Sequence, residues 1–388
     1  MNSKPLRVLN VLGELKPSGA ETMLVAAAPL FRANGVEAEV LSTGATTGPY
    51  AGRFEAAGYR VHHIPFSRAP GFLFKERQLM RAGHYDVIHL HCEGANFWHG
   101  IAAWSVRAPV VLRTVHNAFA FTGNLQWRRG MQRRMLQGLG VRHVSISASV
   151  RDTELRHFLL PTTLVWNWYD SLRFTATSPE ARTAARAGFG LREADFVIAS
   201  IGNCSEVKNH TAIIRAIALL PVDERPVYLH AGIEERDAPE RELAQRLGVA
   251  DRIRFLGGVG DVLPLLRAAD AFLMPSLYEG FGIAAIEALA TGLPALFADV
   301  AGLRDFRADF SHLVYTGTSP DAVASGLQTL MRMPASHKAT IQKQYPAIAN
   351  RLFGMERGVG AYLNLYRGET PVTTERMGGR STRGEVDA

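Results

Sequence analysis

The sequence predicts an α/β protein built from two Rossmann-like, doubly wound domains that face each other across a central cleft. Three observations carry that expectation. Short β-rich apolar runs alternate with helix-like segments; the alternation breaks once, in a polar passage near residues 165–195, and then restarts; and 388 residues exceed the ~100–200 typical of one domain. At 47% hydrophobic and 20% charged, the chain has the composition of a globular protein able to bury two cores.

"LRVLNVLGEL" reads as the first strand, "AETMLVAAAPLFRANG" as a helix closed by Gly35, and "VEAEVLST" as the second strand. "DVIHLH" (86–91) and "PVVLRTVH" (109–116) read as buried parallel strands, and "HVSISASVRDTEL" as a strand passing into a helix. The passage "NWYDSLRFTATSPEARTAARAGFGL" lacks strand periodicity and reads as the join. Beyond it, "DFVIASIGN", "PVYLHAG", "IRFLGG", "AFLMPS" and "LPALFADV" give five more strands, separated by helical patterns such as "HTAIIRAIALL". The expected domains are therefore 1–170 and 171–351. A helix at about 352–367 is expected to return to the first domain, and 368–388, rich in Thr, Gly, Arg and Glu, reads as a disordered tail.

The net charge of +7 is unevenly distributed. Residues 1–170 hold 19 Lys and Arg against 11 Asp and Glu, whereas the remainder holds 24 against 25, so the whole excess lies in the first half. A solvated basic surface and attraction to an anionic partner, such as a membrane leaflet or a phospholipid-linked acceptor, both account for it; no nucleic-acid-binding motif accompanies the charge. "NLQWRRGMQRRMLQGLG" concentrates Arg128, Arg129, Arg133 and Arg134 among Trp127, Met131 and Met135, and reads as either a solvated basic helix or a lipid-docking one. Two distant cysteines, Cys92 and Cys204, make no disulfide framework. The opening "MNSKPLRVLNVLGEL" has too short an apolar run for a signal peptide or membrane span, so the expected location is cytoplasmic, and the basic first half leaves peripheral attachment at the inner face of the membrane open.

In open parallel sheets, ligands bind at the carboxyl ends of the strands. "PSLYEGFGIAAIEALATGLP" (275–294) lies at such an end. It is a turn with Glu279 at its mouth, followed by a helix with Glu287 in an apolar run, the two eight positions apart, or about 12 Å of helical rise. Main-chain N–H groups of Gly280, Phe281, Gly282 and Ile283 would point from the helix start and favour an anion such as a diphosphate. Buried carboxylates demand a polar partner. In "DVIHLHC", His89 and His91 share a strand face beside Cys92, but no third well-spaced ligand is evident, and no metal site is expected.

The pair Glu279 and Glu287, with seven residues between and in these flanks, resembles the E-x7-E signature of family 4 glycosyltransferases, retaining enzymes of the GT-B fold. The resemblance implies that Glu279 meets donor-sugar hydroxyls and that Glu287 binds the nucleotide ribose. "SIGNCSEVKNH" is similar to the family's phosphate-gripping loop: Lys208 matches its lysine, while Asn203 stands where the family has arginine. "FLGGVGDVLPLLRAADAFLMPS" is similar to the segment leading into the site, with Asp261 and Asp270 read as helix caps. "LKPSGAETMLVAAAPL" is like the family's glycine turn, where Gly19 lets main-chain amides approach the phosphates and Glu21 is a first-turn carboxylate. His116, in "TVHNAF", resembles the strand-end histidine beside the donor sugar.

What the resemblance implies is a hexosyltransferase working on a nucleoside diphosphate sugar, UDP-linked rather than GDP-linked, with a glycan, lipid-linked or small-molecule acceptor, in exopolysaccharide or envelope-glycan synthesis. Catalytic roles fall to Glu279, Lys208 and His116, and donor binding to Gly19, Asn203, Gly280, Phe281, Gly282, Ile283 and Glu287, with no cofactor or metal. A noncatalytic scaffold subunit of the same fold, which Asn203 motivates, and a tailoring enzyme for small metabolites stay open. The missing G-x-G-x-x-G triplet speaks against a nicotinamide enzyme.

Overall fold

The computed structural model describes residues 4–119 and 121–369; of the tail expected at 368–388, residues 370–388 lie outside them. The first half forms a seven-stranded, wholly parallel sheet. Its strands are β1 (Leu6–Leu12), β2 (Val36–Ser42), β3 (Arg60–His63), β4 (Val87–Leu90), β5 (Val110–Val115), β6 (Arg142–Ser145) and β7 (Thr163–Leu164), in the order β3-β2-β1-β4-β5-β6-β7. The connecting helices are α1 (Gly19–Ala33), α2 (Ala51–Ala56), α3 (Pro70–Gly83), α4 (Asn96–Ser105), α5 (Gly123–Gly138) and α6 (Ala148–Phe158). Central strands such as β4 are buried along their whole length, which is why they read as mostly apolar runs.

After α7 (Pro179–Gly188), the second half repeats the plan. Strands β8 (Val197–Ile201), β9 (Val227–Ala231), β10 (Ile253–Phe255), β11 (Ala271–Met274), β12 (Ala295–Ala298) and β13 (Val314–Thr316) form a parallel sheet in the order β10-β9-β8-β11-β12-β13. Helices α8 (His210–Leu219), α9 (Pro239–Arg246), α10 (Leu263–Ala268), α11 (Ile283–Ala290) and α12 (Pro320–Met331) connect or follow the strands. Two last helices, α13 (Ala335–Phe353) and α14 (Met355–Tyr366), carry the chain back. Met355, Val359, Tyr362 and Tyr366 of α14 are buried in one cluster with Val8, Phe31 and Val87 of the first half.

In both sheets the strand order reverses direction at one place, between β1 and β4 and between β8 and β11. Loops leaving the carboxyl ends of those strands diverge to opposite faces and leave a crevice, the usual ligand position in such sheets. The passage read as an irregular join holds α7, started by Ser178, whose hydroxyl accepts from Ala181 N–H, and by Pro179 at its first turn. No helix among the described residues is long and apolar enough to cross a membrane.

Candidate active site

Lys208 lies on the loop after β8 and Glu279 on the loop after β11, the two strands that flank the reversal in the second sheet. Their side chains meet there, with Lys208 Nζ 2.6 Å from Glu279 Oε1. Ser276 Oγ donates to the same carboxylate oxygen at 3.0 Å. The lysine loop also holds to the β11 end: Leu277 N–H donates to the Val207 carbonyl at 2.8 Å, and Asn209 Nδ2 donates to the Pro275 carbonyl at 3.1 Å. Residues 71 apart in sequence are thus fixed as one charged unit, and the carboxylate at the mouth of the turn has its polar partner.

Glycines bring the first domain onto this unit. A Cβ on Gly19, at the start of α1, would lie 2.9 Å from Ile283 Cδ1, at the start of α11. A Cβ on Gly280 would lie 2.2 Å from the His116 carbonyl oxygen, so no larger residue fits while the two domains touch. Ser147 Oγ donates to the Gly280 carbonyl at 2.7 Å, and the Asp305 carboxylate accepts from Ser149 N–H and Oγ at 2.9 and 2.8 Å, closing the seam. Gly282 takes φ +83° to start α11. Among the described residues, none accepts a hydrogen bond from the main-chain N–H of Gly280, Phe281, Gly282 or Ile283. Phe281 anchors the turn, its ring packed among Trp166, Phe306 and Phe353.

His116, itself half-buried, ends a relay with the buried His91 and His89. Its Nε2 is 3.0 Å from His91 Nδ1, and His91 Nε2 is 3.2 Å from Asn10 Oδ1. His89, its ring 3.9 Å from that of His91, bonds Thr114 at 2.7 Å and Tyr366 at 2.9 Å. Burial pushes His89 down to about 3 and His116 down to about 4, with neighbouring positive charge adding to the effect in each. All three rings are neutral at pH 7. His116 then keeps Nδ1 as its remaining polar atom, able to donate or accept without charge.

Glu287 sits one turn into α11, 8% exposed, with no ion pair among the described residues. Burial pushes its carboxyl up to about 8, a shift that Arg173 opposes and Asp170 reinforces. Asn203 is exposed, and its Oδ1 accepts from Ile233 N–H at 2.9 Å, so the amide braces the neighbouring loop. Glu21 is buried in the first turn of α1 and takes a hydrogen bond from Ser18 Oγ. Asp261 accepts from Leu263 N–H at 2.8 Å, one residue ahead of Val262, which stands at the N-cap of α10. Asp270 does not cap a helix. It accepts from Val197 N–H at 2.8 Å and pairs with Arg182 and Arg186 at 2.7 and 3.3 Å, because the α7 missed in the sequence lays those arginines over the start of β11.

The metal-like constellation also lies elsewhere than the sequence drew attention. Cys204, His210 and His230 converge, all buried, with one ligand atom of each within 4.8 Å of the others. Cys204 and His210 are six residues apart around Lys208, a legible spacing, but His230 reaches them only through the β8–β9 pairing.

Comparison with known proteins gives two family matches. Residues 17–199 match the family described as Glycosyltransferase Family 4, and residues 181–346 the family described as Glycosyl transferases group 1. The chain is 25% identical to EpsF of Bacillus subtilis (strain 168), which carries a glycosyltransferase name, over 97% of this chain and 99% of that one. It is 32% identical to the D-inositol 3-phosphate glycosyltransferase of Salinispora arenicola (strain CNS-205), over 74% and 69% of the respective chains. Its fold matches that of Anabaena HepE, crystallised with UDP and glucose, with a TM-score of 0.79 at 21% identity, over 94% of this chain and all of the other.

Proposed function

The chain belongs to glycosyltransferase family 4, with the GT-B architecture, and we propose on that premise that it moves a hexosyl unit from a nucleoside diphosphate sugar to an acceptor hydroxyl with retention. The observation that carries this reading is the Lys208–Glu279 unit beside four unengaged main-chain N–H groups, at the seam where the domains meet. A lysine ammonium has three donors, so Lys208 can hold Glu279 and a diphosphate oxygen together. The N–H groups of residues 280–283 add neutral donors at a helix start, and the cation plus amides offset the charge that grows on the leaving diphosphate.

Glu279 then accepts hydrogen bonds from sugar hydroxyls, Glu287 faces the ribose, and neutral His116 orients the sugar from the opposite domain. The bond from the anomeric carbon to the diphosphate breaks as the acceptor oxygen bonds the same face of that carbon. The acceptor proton passes to the departing phosphate oxygen, which removes the need for a side-chain base. Contact between the domains excludes water, and with it donor hydrolysis. We further propose a UDP-linked donor, an acceptor belonging to an envelope or exported glycan, and peripheral attachment of the first domain to an anionic membrane.

Calorimetric titration with UDP and GDP, followed by donor turnover with acceptor extracts, tests the reading. Lys208→Ala and Glu279→Ala are expected to lower transfer at least 100-fold, as loss of one such stabilising group does, while circular dichroism stays unchanged. Unaltered turnover in either variant removes the site assignment. Nucleotide binding without transfer or hydrolysis favours instead a noncatalytic subunit, the reading that Asn203 in place of a second cation supports.

A further inference from the structure

Behind the Lys208 loop, Cys204, His210 and His230 form a buried group for which the transfer reaction has no use. Cys204 follows β8, His210 is the first residue of α8, and His230 lies inside β9, fully buried. Cys204 Sγ and His230 Nε2 are 3.4 Å apart. A tetrahedral zinc ion, with a sulfur at ~2.3 Å and a nitrogen at ~2.0–2.1 Å, holds those two donors about 3.6 Å apart. One edge of the tetrahedron is therefore present, and the remaining pairs, none wider than 4.8 Å, lie within about 1.5 Å of closing.

The surroundings are those of a metal ligand set. The other nitrogen of His230, Nδ1, is 2.9 Å from Ser200 Oγ, and Ser200 Oγ is 2.6 Å from the Tyr228 hydroxyl. With Nδ1 donating to the serine, Nε2 turns its lone pair toward Cys204 and His210, the arrangement that orients ligating imidazoles. His210 Nδ1 is buried without a hydrogen-bond partner among the described residues, and so is Oε2 of Glu240, in the first turn of α9. Buried polar atoms are seldom left unpaired. The carboxylates of Glu240, Glu234 and Glu235 lie near the Cys204 sulfur, so its surroundings are acidic. A cation satisfies the orphaned atoms and the acidic surroundings together.

We propose that Cys204, His210 and His230 bind a structural zinc ion, and that the orphaned Glu240 carboxylate, outside that three-residue group, turns in as the fourth ligand. A thiolate with two imidazoles selects zinc over magnesium or calcium, which prefer oxygen donors. On binding, the Cys204 S–H bond breaks, the sulfur gives its electron pair to the ion, and the proton leaves to solvent. Four protein ligands close the site, so the ion takes no substrate. Its mechanical effect is local: Cys204 and His210 bracket Lys208, and the ion pins both ends of that loop to β9. The proposal does not rest on the transfer reaction.

Cobalt(II) added to the chelator-stripped full chain tests it. The expected result is about one ion bound per chain, with a thiolate-to-cobalt charge-transfer band and the strong visible bands of a tetrahedral ion, all displaced by zinc. The chain has two cysteines, so Cys92→Ser must keep the charge-transfer band and Cys204→Ser must lose it. His230→Ala and His210→Ala must each weaken cobalt binding at least tenfold. Absence of the band in the Cys92→Ser chain, or its survival in Cys204→Ser, overturns the proposal. Should Cys204→Ser fail to fold, the Cys92→Ser spectrum still decides.

Discussion

At Glu287 a carboxylate is buried inside an apolar helix, and its protonation is linked to stability. The folded state holds the proton up to about pH 8, while the unfolded chain releases it near 4.5. Between those values the unfolded state binds fewer protons, so stability falls as pH rises and levels off above about 8. At ~1.4 kcal/mol per unit, the full penalty is on the order of 5 kcal/mol. Glu287→Gln removes it. Urea unfolding of the two proteins from pH 4 to pH 9 is expected to give matching stabilities at the acid end and a variant more stable by several kcal/mol at pH 8.5. Parallel curves would show that the carboxyl ionises in the fold. Keeping a carboxyl where it costs stability is understandable if a ligand uses it.

Among the elements, α5 shows how a linear charge pattern misleads. Its arginines read as one basic helix, yet Arg133 is 1% exposed and lies 2.9 Å from Glu154 and 2.8 Å from Glu93, which also receives Arg113 of β5 at 2.5 Å. Burial alone would raise the Glu93 carboxyl, but Arg113 and Arg133 reverse this and hold it below the usual carboxylate range. Removing one member of such a network leaves uncompensated buried charge, so Glu154→Ala is expected to cost about 3–5 kcal/mol, read as a lowered urea midpoint for the first domain; an unchanged midpoint would mean that Glu93 alone suffices. The same contrast governs what the sequence disclosed. β1, β4, β8 and β11 were legible because burial on both faces makes them mostly apolar. β3 and β13 were not, since three or four residues at a sheet edge, none of them buried, carry no period. The Ser178-Pro179 start of α7 was a readable signal overlooked in a polar stretch. Lys208 and Glu279 could be named from their motifs, whereas their pairing, the histidine relay and the Cys204 cluster depend on strand order, which no local pattern encodes.

Over the whole molecule, the charge asymmetry takes a definite shape once the internal pairs are set aside. On α5, Trp127, Met131, Arg134 and Met135 fall at i, i+4, i+7 and i+8, a single helix face, and all are exposed, Trp127 by 66%. Helices α4 and α6 pack against α5 and add exposed Trp98, Trp104 and Leu155. Large apolar side chains interleaved with cations fit the interface of an anionic bilayer, where rings enter the headgroup layer and arginines meet phosphates. Each such arginine is worth about 1 kcal/mol near the surface, so Arg128→Ala with Arg134→Ala should weaken vesicle binding by about 30-fold. Trp127→Ser should weaken it on neutral and anionic vesicles alike, because its contribution is burial rather than charge. Co-sedimentation with phosphatidylglycerol vesicles at low salt, repeated at high salt, separates the terms: the arginine effect should fade as screening shortens the reach of charge, and the tryptophan effect should persist. Equal binding by all three proteins would return this face to solvent, leaving the excess charge of the first half as surface composition alone.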